Sequence, residues 1–92
     1  MNNTENNREF MRDIKVLGIG SSKYKQLTDN LFAVINELKI EAKVEQYEEI
    51  DDFIRFNSVE IPTLMIDGKI VSKGRVPNIE ELKFFLVPNP VL

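Results

Sequence analysis

Apolar residues along this chain recur in two periods, and the alternation between them outlines a fold. The run "DIKVLGI" (13–19) is rich in β-branched residues and mostly apolar after Lys15, as in a central strand covered on both faces. From about Lys23 to Leu38 the spacing changes to three and four: Leu27, Leu31, Val34, Ile35 and Leu38 make one face of a helix. "EAKVEQY" (41–47) returns to alternation, with Ala42, Val44 and Gln46 on one side. Ile50, Phe53 and Ile54 mark a short second helix that fades near Asn57 and Ser58.

The closing half has sharper punctuation. "IPTLMID-GK-IVSKG" reads as two strands joined at Asp67–Gly68, a strong hairpin signal because both turn positions tolerate positive φ. In "VPNIEELKFFL", Asn78 caps a helix with Glu81 three residues on, a variant of the capping box. Ile79, Leu82, Phe85 and Leu86 form its inward stripe, and Pro88 ends it. The order is βαβ followed by ββα. A right-handed parallel crossover and an antiparallel hairpin then give a four-stranded mixed sheet with helices on both faces, an α/β arrangement of the thioredoxin-like kind. Residues 1–11 are read as a flexible, Asn-rich extension in which Met11 is an alternative start, and residues 12–92 as one domain.

Composition narrows the chemistry. The formal charge is -3, with no basic stripe to neutralise phosphates, which argues against nucleic acid. No apolar run is long enough to span a bilayer, and "MNNTENNREF" has neither region of a signal peptide, so a cytoplasmic, bacterial-type protein is expected. The 92 residues contain no cysteine and no histidine. Thiolate chemistry is thereby removed, together with the commonest general base and the usual transition-metal ligands. Glu60 and Asp67 could serve as metal ligands only by accident, and Asp67 is better explained by the turn. "GIG" lacks the third glycine of a dinucleotide loop, which would fall at Lys23. No cofactor or metal is expected.

One stretch has the form of a reactive site without a reagent. In "VLGIGSSKYKQL" (16–27) a strand runs through glycines to Ser21 and Ser22, either of which can cap the following helix, with Gly20 permitting the turn. Lys23 and Lys25 occupy the first helical turn, and Arg75 lies before the last helix. With free backbone N–H groups and the two hydroxyls, these cations could hold a carboxylate or phosphate; the alternative is that they are simply solvated.

Three segments together, "IKVLGIGSSKYKQL", "IPTLMIDGKIVSKGRVP" and "NIEELKFFL", resemble the small thioredoxin-like, glutaredoxin-sized redox-active disulfide proteins of bacteria and archaea. The likeness spans roughly residues 13 to 87. It implies that Ser21 and Tyr24 stand where the family carries its Cys-x-x-Cys pair. It also implies a cis bond before Pro62, a conformation that an X–Pro pair adopts readily, with the Ile61 backbone presented to an extended peptide or to glutathione. The alternative for Pro62 is that it only shapes the start of a strand. A serine oxygen cannot form a mixed disulfide, and no histidine stands by to activate it. The resemblance therefore leaves a redox-inactive binding module with no catalytic residue, its surface made by Ser21, Ser22, Lys23, Tyr24, Ile61, Pro62, Gly74 and Arg75. Its partner would be a peptide, a protein, glutathione or a small anion, with a homo-oligomer also open. The competing reading is a partner subunit in thiol–disulfide homeostasis, or a glutathione-using enzyme without its own thiol.

Overall fold

The computed structural model describes residues 11–87, so residues 1–10 of the N-terminal extension and Pro88 lie outside the described residues. Strand β1 (Arg12–Leu17) leads to helix α1 (Ser22–Leu38) and strand β2 (Ala42–Tyr47). Helix α2 (Ile50–Arg55), the hairpin β3 (Thr63–Ile66) and β4 (Lys69–Lys73), and helix α3 (Ile79–Leu86) complete the chain. The sheet order is β2-β1-β3-β4. β1 runs parallel to β2 and antiparallel to β3, and β3 is antiparallel to β4. This is the α/β, four-stranded mixed sheet that the hydrophobic pattern predicts.

Strand alternation divides the sheet into two unequal faces. Ile14 and Val16 sit opposite Ile66 and Leu64 in register. With Leu27, Leu31 and Val34 of α1 and Leu82 and Leu86 of α3 they form the main core. The two helices also meet directly where Lys83 pairs with Glu37 at 3.0 Å, and Asn30 of α1 donates to the Pro77 carbonyl just before α3 at 3.3 Å. On the other face Leu17 and Thr63 are buried together with Phe53 of α2. The rest of that face carries charge, with Lys15 between Asp13 at 3.1 Å and Glu45 at 3.5 Å. A six-residue helix is too short to cover more of it.

Three details depart from the periodic reading. β1 ends at Leu17, and Ile19 is exposed. Leu38, assigned to the inward stripe, is exposed in the last turn of α1. Of the apolar residues marking α2, only Phe53 faces inward.

The hairpin turn does more than reverse the chain. Asp67 and Gly68 both have positive φ, 52° and 86°, as a type I′ turn requires. The Asp67 carboxylate accepts from Arg12 Nε at 2.7 Å and from the Asp13 backbone N–H at 2.9 Å. Arg12 also donates to the Leu86 carbonyl at 2.9 Å, so one side chain ties the hairpin tip to the C-terminus of α3. Among the described residues no helix is long and apolar enough to cross a membrane.

Candidate functional site

The register of the sheet assembles the site. Leu17 pairs with Thr63, so the chain leaves β1 through Gly18 beside the point where Pro62 delivers it to β3. The β2–α2 link comes to the same end, because β2 runs parallel to β1 and the Gly18 N–H donates to the Tyr47 carbonyl at 3.0 Å.

Ser21 is the N-cap of α1: its backbone is extended and its Oγ accepts from the Tyr24 N–H at 3.3 Å. Ser22 and Lys23 are exposed in the first turn. Tyr24 turns inward and is only 5% exposed. Its hydroxyl donates to Glu48 Oε2 at 3.1 Å and accepts from Gln46 Nε2 at 3.1 Å. Burial, followed by the hydrogen bond to Glu48, pushes the phenol pKa above its ordinary value despite an opposing effect from Gln46. Tyr24 is therefore a neutral donor inside a hydrogen-bonded cluster, not a base.

Tyr24 also explains the glycines before it. A Cβ on Gly18 would run into Tyr24 Cδ1, so the ring lies directly against the backbone there. Gly20, expected to be the permissive turn residue, has open space where its Cβ would be, and its φ is not in the left-handed region. The glycine that the site requires is Gly18.

Across from α1, the Ile61–Pro62 peptide bond is cis. Pro62 is buried, and its carbonyl accepts from the Gly74 N–H at 2.9 Å. Thr63 Oγ1 donates to the Glu60 carbonyl at 2.8 Å and lies 2.6 Å from Ser58 Oγ, which pins the loop from both sides. Among the described residues, neither the N–H nor the carbonyl of Ile61 takes part in a hydrogen bond. The loop is held while, among the described residues, the residue before the proline keeps its backbone polar groups unpaired.

The expected cationic cluster is largely self-neutralised. Lys25 pairs with Asp29 at 3.0 Å. Arg75 forms a two-pronged pair with Glu81, at 3.1 Å and 2.8 Å, and Glu81 in turn closes the α3 capping box with Asn78. Arg75 holds the Glu81 carboxyl below its usual range, assisted by the Asn78 N–H. Of the three cations only Lys23 has no ion-pair partner among the described residues. Gln46, Glu48 and Gly18 were not singled out from the sequence as site residues. The signal for Gln46 is its place on the Ala42 and Val44 side of an alternating strand, although the residue itself is exposed.

These features match a known domain. The "Thioredoxin domain" family model matches residues 12–86. The chain belongs to the thioredoxin-domain family. A "Thioredoxin" of Methanothermobacter thermautotrophicus is 32% identical over 76 residues, covering 83% of this chain and 99% of that protein. A "Thioredoxin" of Methanocaldococcus jannaschii is 29% identical over 70 residues, covering 76% of this chain and 80% of that one. Both relatives are archaeal proteins. As a thioredoxin-domain chain without cysteine, this one cannot form the mixed disulfide through which thiols exchange. A cleft of about 370 Å³ between the Asp67 turn and Phe84 and Phe85 of α3 lies at the opposite end of the sheet, away from this constellation.

Proposed function

We propose that this thioredoxin-domain protein is a non-catalytic binding module that docks an extended segment of a partner protein against the Ser21–Tyr24 and Ile61–Pro62 surface. The observation that carries the reading is the pinned loop with unpaired backbone groups at Ile61. An extended chain can add main-chain hydrogen bonds there without any sulfur. Recognition of a small anion has less support, because Lys25 and Arg75 already hold carboxylates of their own chain. Activation of glutathione by Tyr24 also has little support, since the side chain is buried and its hydroxyl is doubly hydrogen-bonded and shifted away from ionisation. A cytoplasmic setting is part of the same proposal.

Titration with glutathione and with an extended peptide, followed through backbone amide shifts, tests the reading. Shifts at residues 20–25, 61 and 74–75 from the peptide support it. Saturable shifts from glutathione alone point to the thiol-less enzyme instead.

A further inference from the structure

Helix α2 leaves its apolar side uncovered next to this surface. Ile50 and Ile54 stand one turn apart, 65% and 66% exposed, while Phe53 is the residue that packs inward. Val59, in the link toward Ile61, is 85% exposed. Adjacent exposed isoleucines on so short a helix are costly in water and mark a contact surface more often than scattered apolar residues do.

The charges around this ridge are of one sign. Glu49 is the N-cap of α2 but makes no side-chain capping bond, and Asp51 borders the isoleucine pair one residue on. The cation of the helix, Arg55, is turned to other partners: Asp52 at 2.6 Å and the rings of Tyr47 and Phe56. Nearby, Lys73 faces Glu60 at 3.7 Å and Arg75 faces Glu81, so neither offsets Glu49 and Asp51. Lys23 is the opposing charge on the α1 side of the site. The hydrogen bond from Tyr24 to Glu48 fastens the start of this acidic link to the site itself.

Resting on the binding reading above, we infer that the docked segment is apolar and basic: its aliphatic side chains cover Ile50, Ile54 and Val59, and its Lys or Arg residues meet Glu49 and Asp51. A second copy of this chain does not fit as well, since each copy carries the same acidic rim and a net charge of -3.

Three peptides that share one Val-Leu core, flanked by Lys, by Gln or by Glu, separate the possibilities when titrated into the 92-residue protein at low salt. Two compensated rim charges predict that the Lys-flanked peptide binds about five- to tenfold tighter than the Glu-flanked one. That advantage should fall with added salt and disappear in an E49Q/D51N variant. I50Q/I54Q, both surface changes, should weaken all three peptides. Equal or tighter binding of the Glu-flanked peptide, or shifts at Ile61 that leave α2 untouched, overturns the inference while leaving the binding reading in place. No binding by any peptide overturns both. Sedimentation showing a dimer that I50Q/I54Q dissociates assigns the ridge to a second copy and overturns the inference.

Discussion

The hydroxyl of Tyr24 donates to Glu48 at 3.1 Å, joining the first turn of α1 to the link between β2 and α2. In this chain the position that the family likeness assigns to a thiol is a structural tyrosine, buried and bonded at its tip. Replacing it by phenylalanine keeps the ring against Gly18 and deletes the hydrogen bonds. Tyr24→Phe is expected to cost roughly 0.5–1.5 kcal/mol by urea unfolding. It should also alter the alkaline limb of stability. A raised phenol pKa contributes stability that is fully present below 10.0 and is lost as pH rises through the folded value. Tyr24→Phe should flatten that limb, as followed by unfolding midpoints across the alkaline range.

The contact between Gly18 and Tyr24 makes a coupled prediction. Gly18→Ala puts a methyl group into the ring, at an expected cost of about 1–3 kcal/mol from overpacking. In a Tyr24→Ala background the same change should cost much less, because the clash is gone. A double-mutant cycle of denaturant midpoints reads the difference, and additive costs would show that the ring is not what excludes a side chain at position 18.

Much of this was legible from local pattern. Ser21, the α1 stripe, the Asp67–Gly68 turn and the Asn78–Glu81 box each depend on residues within a few positions of one another, where spacing alone carries the geometry. Less was legible where partners are distant in the chain. Gly18 and Gly20 look alike in sequence, and only the direction of the Tyr24 ring tells them apart. Arg75 reads as a site cation until the bend after β4 brings it to Glu81. Ile50 and Ile54 show helical spacing, but spacing cannot say that six residues offer room for a single inward side chain, Phe53.

Arg75 and Glu81 give a pH prediction with a site-specific readout. The paired carboxylate has a depressed pKa, so its contribution is present above the ordinary value of 4.5 and is lost as pH falls through the folded value. Arg75→Gln should move the Glu81 titration up toward 4.5 in a carboxyl-detected NMR experiment. An unchanged titration would mean that the Asn78 N–H alone sets the shift.

The start of α1 is a helix N-terminus capped by Ser21, the positive end of the helix dipole. Ser21→Cys places sulfur at the N-cap, where the helix dipole favours negative charge. Its thiol should titrate below about 8.5, measured as the pH dependence of alkylation. A value at or above that figure would remove the helix terminus as a stabiliser of anions in this protein.

The central claim is that recognition runs through the unpaired backbone at Ile61. Its most direct test is an amide-resolved titration with one extended peptide and with the same peptide N-methylated on alternate residues. The account predicts saturable shifts at Ile61, Gly74 and residues 20–24 with the parent peptide, and their loss on methylation. Equal shifts from both peptides, or none from either, would contradict it.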